Sequence, residues 1–308
     1  MDKVRKIFCL LLLALFFPNI ALAYQLQTLS DTKVYSDFVL NPGKIEVNLN
    51  PGGKITKELQ ILNRSGFPID FKVTLEDIGY QQQDSSNSLP LSSASNPYSL
   101  KDYLKPEMTE FTLQHGEQLT LPVLITIPQD SVAGGLYATV GVSGKIQDQI
   151  LNSNGFIKPE SKISSVFFVR VSGRAEEAGR LESFNSVKSI YFGSPIAFNL
   201  NFKNEGDVYL NPKGELKIRN LLGQEVFRKD LSGYYIMPNS EKTYQEIWDG
   251  RPFGGIYQAT VKVNRGYGNL ADQQSVYFAV ITVKFIIALI FFLILISWVA
   301  YKLYTADK

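Results

Sequence analysis

Cysteine and histidine are nearly absent from this 308-residue sequence, which has one of each. A disulfide framework needs pairs of cysteines, and most structural metal sites and cysteine–histidine catalytic sites need several such side chains together. The single cysteine, Cys9, lies in an apolar segment near the N-terminus. We therefore predict folded parts that depend on their hydrophobic cores alone, with no cofactor and no metal site.

Catalytic motifs are missing as well: the chain contains no G-x-S-x-G, P-loop or H-E-x-x-H sequence. Glu76–Asp77 and Glu176–Glu177 are adjacent pairs, and neighbours on a strand point to opposite faces. Glu76–Asp77 therefore does not suit the facing carboxylates that glycoside hydrolysis requires and is expected at a strand end on the surface, while Glu176–Glu177 lies in a predicted linker. His115 lies between two strand patterns, where a surface turn is expected. The sequence predicts a protein that is not an enzyme.

Long apolar runs occur at the two ends of the chain. Residues 1–23 combine a basic start, an apolar run from Ile7 to Phe17 and the small-residue sequence Ala21-Leu22-Ala23. This pattern is typical of a secretory signal peptide that is cleaved after Ala23. The mature chain would then contain no cysteine.

The second apolar run, residues 281–301, reaches the length that a transmembrane helix needs. Lys284, Trp298, Tyr301 and Lys302 stand near its ends, where basic and aromatic side chains anchor helices at the membrane interface. We predict a single span with residues 24–280 outside the cell membrane. Residues 302–308 would form a short cytoplasmic tail.

Charge is not concentrated between these segments. The whole chain has a net charge of +2, but the two apolar ends carry the excess of basic residues, which leaves residues 24–280 at about −2. This part also lacks a cluster of Lys and Arg. Binding to nucleic acid requires a basic surface that neutralises phosphates, so we predict no nucleic-acid partner.

Short runs of alternating apolar and polar residues fill the region between the ends, and Gly, Pro, Asn and Asp separate them. Such regularly spaced strands are typical of antiparallel sandwiches. The small polar sequence 173–179 interrupts the pattern and reads as a linker. We predict an all-β protein with two tandem immunoglobulin-like β-sandwich domains, residues 34–172 and 180–280. Pro122, inside one run, indicates an edge position or a bulge.

Two sequence features occur once in each predicted domain. A Gly-Gly pair opens a strand at 134–140 and again at 254–261. A strand that ends in an asparagine shortly before a glycine occurs at 61–66 and at 201–206. These repeats favour two related domains.

Two segments are open to more than one interpretation. Tyr244 and Trp248 are four residues apart and would share one face of a strand. They would form a ligand-binding platform if exposed, or part of a sandwich core if buried. Residues 80–99, rich in Gln, Ser and Asn, form either a plain loop or part of a contact surface.

The layout of a signal peptide, two sandwiches, one C-terminal span and a basic tail resembles the WxL-interacting protein family of bacterial surface proteins. The first domain carries the local match, in the segments 38–46, 50–53, 111–113, 116–117, 127–128 and 134–135 and in the turn at Asn63. The resemblance implies that the first domain is associated with peptidoglycan and the second with host or partner proteins. The W-x-L motif of the family's partners does not occur in this chain.

These observations predict a non-enzymatic, membrane-anchored surface protein that binds a peptidoglycan-like envelope polymer or a partner surface protein. One alternative is an envelope assembly factor, or a subunit of a complex, that pairs client strands at a sheet edge. A further alternative is a carbohydrate-active envelope enzyme, which would need a cleft with converging acids.

Overall fold

A computed structural model shows a chain built almost entirely from β-strands, followed by one C-terminal helix. The structure describes residues 24–78, 91–92, 96–146, 160–231 and 235–306. The predicted signal peptide, residues 1–23 with Cys9, and most of loop 80–99 lie outside the described residues. The prediction of an all-β protein with an apolar C-terminal helix is confirmed, while its division into two tandem domains stays a prediction.

The first half of the chain forms two sheets around one hydrophobic core. The first sheet has the order β1-β9-β4-β2, with β7 also paired to β9, and the second has the order β3-β11-β10-β5-β6, with β8 also paired to β5. The strands are β1 (Gln25–Thr28), β2 (Phe38–Asn41), β3 (Lys44–Leu49), β4 (Lys54–Asn63), β5 (Ile69–Ile78), β6 (Leu91–Ser92), β7 (Leu104–Pro106), β8 (Glu110–Leu113), β9 (Glu117–Thr126), β10 (Gly134–Ile146) and β11 (Ser161–Val171).

The second half forms two further sheets around a second core. Their orders are β12-β14-β17 and β13-β19-β18-β15-β16. The elements are β12 (Gly179–Ser186), β13 (Ile190–Tyr191), β14 (Ile196–Asn204), β15 (Lys213–Asn220), β16 (Glu225–Leu231), β17 (Ser240–Trp248), β18 (Gly255–Asn264), β19 (Ala271–Val280) and the helix α1 (Val283–Ala306). The alternation of apolar and polar residues in β14 and β17 matches an alternation of buried and less buried side chains, as expected for strands with one face on a core.

The two halves share a crossing of the chain between sheets. In the first half β2 pairs in one sheet, and β3 then pairs in the other, parallel to the last strand, β11. In the second half β12 and β13 do the same, and β13 runs parallel to the last strand, β19. The other pairs of named strands in the described part of the chain are antiparallel.

The halves also share a buried asparagine at the end of a long strand. Asn63 ends β4 and Asn204 ends β14, and both side chains are 0% exposed. Each amide nitrogen donates to a carbonyl four residues later and to a carbonyl of a distant segment, and each amide oxygen accepts the N–H two residues later. The partners are Phe67, Leu113 and Ser65 for Asn63, and Val208, Ile236 and Gly206 for Asn204. The repeat seen in the sequence is therefore also a repeat of hydrogen bonds.

Some element boundaries differ from the predicted ones. The strand β1 pairs with β9 and so extends the first half to before residue 34. The helix runs from Val283 to Ala306, so it begins later and ends later than the predicted span of 281–301.

The prediction that Pro122 stands at an edge or a bulge is wrong. Its strand, β9, lies inside the sheet, and the pairing of β9 with β4 shows no register shift at Pro122. It stands between the residues that pair with β1 and those that pair with β7. Its carbonyl accepts the N–H of Glu107 on that side, so the position of the missing N–H faces the gap between β1 and β7. No ladder hydrogen bond is lost there.

Candidate functional site

The two halves meet at a group of aromatic side chains, which we call the junction cluster. Its members are Tyr98, Tyr137 and Phe168 from the first half and Tyr209 and Tyr235 from the second, with Ile78 and Met237 packed against them. Phe168 stacks on Tyr209 with ring centroids 4.5 Å apart, and Tyr137 meets both rings edge-on. Such stacked and edge-on pairs are favourable arrangements for aromatic rings.

Tyr137 is held in this cluster by the start of β10. Its ring folds back over Gly135, where a methyl group would overlap the tyrosine hydroxyl, so the Gly-Gly pair leaves room for this side chain. The hydroxyl accepts the backbone N–H of Tyr209 across the junction at 2.7 Å. Burial raises the pKa of Tyr137 far above its ordinary value, so the hydroxyl stays protonated.

A polar network borders the junction cluster on the side of β3. The Lys44 ammonium donates to the Tyr235 hydroxyl at 2.7 Å and to the Glu46 carboxylate at 2.8 Å. The Tyr209 hydroxyl donates to the same carboxylate at 2.6 Å. Partial burial raises the pKa of Glu46, but the hydrogen bonds from Lys44 and Tyr209 outweigh it and hold the pKa below its ordinary value. Glu46 is therefore an anion that ties the first half to the second.

A cleft of about 690 Å³ opens beside this network, between the two halves. Its wall from the first half includes Glu46, Val47 and Asn48 of β3 and Arg170 of β11, and its wall from the second half includes Tyr209. The Arg170 guanidinium donates to Glu177 at 2.8 Å. The cleft thus combines an aromatic floor with charged groups of both signs.

The strand β3 leaves one side of its backbone unpaired. The carbonyls of Gly43 and Leu49 accept N–H groups of β11 and the residue after it, so the odd-numbered residues of β3 face β11. Lys44, Glu46 and Asn48 therefore direct their N–H and C=O groups to the other side, where no strand among the described residues pairs with β3. This free edge forms a rim of the cleft.

Tyr244 and Trp248 share a face of β17, as predicted, and that face is buried. The two side chains are 4% and 3% exposed and belong to the second core. Trp248 packs between Tyr257, Phe227 and Phe278. The platform hypothesis required exposed rings, and the structure places both rings in the core instead.

The other polar residues considered from the sequence serve local contacts. In a turn, the His115 Nδ1 accepts the Gly66 N–H at 3.1 Å, and its Nε2 donates to the Thr32 carbonyl at 3.0 Å. Glu76 pairs with Lys162, and Asp77 accepts the Ser99 hydroxyl. Within the described ranges no group of three or more His, Cys, Asp or Glu side chains could hold a metal ion.

The helix α1 carries the predicted membrane anchors. Residues Val283–Leu303 are long and apolar enough to cross a membrane. Trp298 and Tyr301 are more than half exposed, and the Lys302 ammonium lies 5.0 Å from the centre of the Trp298 ring. These positions are compatible with the anchoring roles of Lys284, Trp298, Tyr301 and Lys302, which stay predictions.

Sequence reasoning missed the junction and its cleft. The five aromatic residues of the junction cluster are spread from Tyr98 to Tyr235, and no spacing links them. Tyr98 does lie near the end of the polar loop 80–99, and this described end of the loop reaches the junction, where the Asn239 amide donates to the Tyr98 hydroxyl at 2.6 Å. The one available signal was the Gly-Gly pair before Tyr137.

Comparisons with known proteins give matches to solved structures alone. No family model matches the chain, and no curated protein matches it. The class 5 fimbrial chaperone CfaA is 11% identical, with 80% of this chain and 99% of that chain covered and a TM-score of 0.42. The E. coli chaperone DraB is 15% identical, with 79% and 96% covered and a TM-score of 0.39. A chain from the Salmonella enterica complex of SafA pilin with the SafB chaperone is 12% identical, with 78% and 96% covered and a TM-score of 0.39.

These comparisons correct the resemblance drawn from the sequence. The three solved structures described above are fimbrial chaperones or a chaperone–pilin complex and not WxL-interacting proteins, and no family model supports the WxL-interacting family. That resemblance is wrong because it depended on turn and strand patterns that many sandwiches share.

Proposed function

We propose that this chain is a non-enzymatic, membrane-anchored envelope protein that holds an extended segment of another envelope protein along the free edge of β3. This was the alternative to polymer binding when the sequence alone was considered. The observation that carries the proposal is the unpaired backbone of β3 beside an open cleft. Binding to peptidoglycan was implied by the resemblance to the WxL-interacting family, which no family model supports.

An extended peptide can add to an exposed strand through main-chain hydrogen bonds, while pockets for its side chains give specificity. β3 offers three N–H and three C=O groups, those of Lys44, Glu46 and Asn48, over its six residues. The cleft beside the strand supplies aromatic surface and charges of both signs. The same stretch therefore provides the backbone partners and a place for side chains.

Two other edge strands, β16 and β17, are less suited to pairing. β16 is an edge strand with Arg228 and Lys229 exposed along it, and β17 carries Lys242 and Glu246 on its buried face. Charged side chains at such positions are devices that keep edges from pairing with other chains. On β3 the charged side chains of Lys44 and Glu46 are instead engaged by tyrosines of the second half.

The arrangement at the membrane is part of this proposal. The 21 residues from Val283 to Leu303 would extend about 31 Å as a helix, which matches the hydrocarbon thickness of about 30 Å. Residues 24–280 would then lie outside the membrane as two tandem immunoglobulin-like domains. In one of the solved structures a pilin, SafA, is bound to the SafB chaperone. The present proposal rests on the edge of β3 and not on that complex.

The proposal can be tested at Asn48, whose backbone faces the free edge. A photoreactive phenylalanine at position 48 of the full chain, expressed in its native cells, would identify the partner segment by cross-linking and mass spectrometry. A synthetic peptide of that segment is then measured against the full chain in detergent micelles. We expect Asn48→Pro to weaken binding by about tenfold or more, because it removes an edge N–H worth about 1 kcal/mol and blocks the approach of a strand.

Asn48→Ala is the matched control, because it removes the side chain and keeps the backbone N–H. It should bind the peptide nearly as the wild type does. Equal binding by the proline and wild-type chains, or equal losses in the proline and alanine variants, would show that the edge of β3 does not pair with the partner.

A further inference from the structure

Large apolar side chains are exposed on three loops at one end of the second half. The loops are 192–195 between β13 and β14, 221–224 between β15 and β16, and 249–254 between β17 and β18. Their tips carry Phe192, Leu221, Leu222 and Phe253, all more than half exposed, with Phe192 at 84% and Leu222 at 82%. We call the exposed ends of these three loops, with their apolar side chains, the loop tips. Soluble surfaces rarely gather such side chains without a partner.

Strand register places all three loops at the end of the second half from which α1 leaves. Tyr191 pairs with Val280, the last residue of β19, and Gly255 pairs with the same residue. Asn220, the last residue of β15, pairs with Tyr257 of β18. The loops that follow Tyr191 and Asn220 and the loop that precedes Gly255 therefore extend beyond the sheet toward the start of α1, away from the junction cluster.

The loops are ordered by hydrogen bonds that hold their apolar tips outward. In loop 221–224 the Asn220 side chain accepts the N–H groups of Leu222 and Gln224, both at 3.0 Å. The Ser194 hydroxyl donates to the Gly250 carbonyl at 2.5 Å and joins two of the loops. The backbone of the loops that carry the exposed leucine and phenylalanine side chains is thus held by hydrogen bonds.

One of these loops is in direct contact with the first turn of α1. The Thr282 hydroxyl donates to the Phe253 carbonyl, and the Phe253 ring meets the Phe285 ring edge-on with centroids 6.4 Å apart. The apolar surface of the loop tips is therefore continuous with the apolar surface of the helix. Arg251 of this loop and Lys284 of the first turn of α1 are both exposed, and basic side chains next to such an apolar surface favour lipid phosphates.

We propose that the three loop tips insert into the lipid interface around α1, so that the second half sits on the membrane surface. This inference rests on the proposed membrane span of α1 and goes beyond it, because a span alone would allow the second half to stand clear of the bilayer. Apolar and aromatic side chains next to basic ones are typical of protein surfaces that enter the headgroup region. The occupant is the bilayer, since the same surface continues into α1.

The test measures the depth of single fluorescent labels on the full chain. Cys9 is replaced by alanine, and a cysteine for a bimane label is introduced by Phe192→Cys, Leu222→Cys or Phe253→Cys. Each chain is placed in nanodiscs of phosphatidylcholine and phosphatidylglycerol that carry doxyl groups near the top of the acyl chains. We expect these three labels to lose most of their fluorescence, because doxyl quenches only probes that reach the interface.

Two further variants keep the result interpretable. Val132→Cys is the matched control, because Val132 is an apolar residue that is 85% exposed on a loop near the junction, and its label should keep its fluorescence. Leu293→Cys reports on α1 itself, with lipids that carry doxyl deep in the bilayer. Quenching at Leu293 without quenching at the loop tips would overturn the inference and leave the membrane span standing. Absence of quenching at Leu293 as well would overturn the span and the inference together.

Discussion

Replacing Asn204 by alanine should destabilise the second half strongly. This side chain is fully buried and makes three hydrogen bonds, with the carbonyls of Val208 and Ile236 and the N–H of Gly206, at 2.8, 2.9 and 3.0 Å. Alanine would leave the Val208 carbonyl and the Gly206 N–H without this partner, while the Ile236 carbonyl would lose one hydrogen bond and keep the N–H of Leu210. A buried group that loses its partner costs about 1–3 kcal/mol, so we expect a loss of about 3–5 kcal/mol in the free energy of unfolding.

Tryptophan fluorescence can report this loss for the second half alone. The chain has two tryptophans, and Trp298→Phe leaves Trp248, which lies in the second core. Urea unfolding of the full chain in detergent micelles, followed at this residue, gives the midpoint. With a denaturant slope of about 2 kcal/mol/M, the expected loss lowers the midpoint by roughly 1.5–2.5 M.

Two controls decide whether the reasoning holds. Asn199→Ala changes a half-buried asparagine on the same strand and should alter the free energy by no more than about 0.5 kcal/mol. Asn63→Ala breaks the equivalent hydrogen bonds of the first half and should leave the Trp248 midpoint unchanged if the halves are separate domains. A loss below about 1 kcal/mol for Asn204→Ala would refute the hydrogen-bond argument, and an equal shift by Asn63→Ala would refute the domain division.

Three further results are expected. The pKa of Glu46 in the folded chain lies below its ordinary value of 4.5, so its contribution is complete above pH 4.5 and is lost as the pH falls through the folded-state pKa. The urea midpoint should therefore fall more steeply in acid for the wild type than for Glu46→Gln. Gly135→Ala should cost about 1–3 kcal/mol through overlap with the Tyr137 hydroxyl and speed amide exchange at Tyr209. Burial lowers the pKa of Lys242, so Lys242→Met should raise the Trp248 midpoint, and a lowered midpoint would contradict this.

The fold could be predicted where a strand has one buried and one less buried face. β14 and β17 alternate along their whole length, and this is the pattern that the sequence displays. β1 and β2 have four residues each, too few for a periodic signal. Pro122 was misplaced because the sequence does not reveal that two short strands share one side of β9.

The candidate site was less accessible to sequence reasoning. The free edge of β3 exists because β2 and β3 pair in different sheets, and pairing between distant strands has no local signature. The spacing of Tyr244 and Trp248 predicted a shared face, but the packing of sheet against sheet decides that this face is buried. The repeated asparagine was visible as a motif, whereas its three hydrogen bonds depend on segments far along the chain.

The short connection between β19 and α1 sets a distance. Only Ile281 and Thr282 separate the strand from the helix, and the ten residues of β19 extend about 33 Å at 3.3 Å per residue. In a membrane-anchored chain the length of the second half would then set the distance between the bilayer surface and the cleft. A partner protein would need to present its extended segment roughly 30 Å above the bilayer, so the height at which the partner carries that segment becomes a criterion for recognising it.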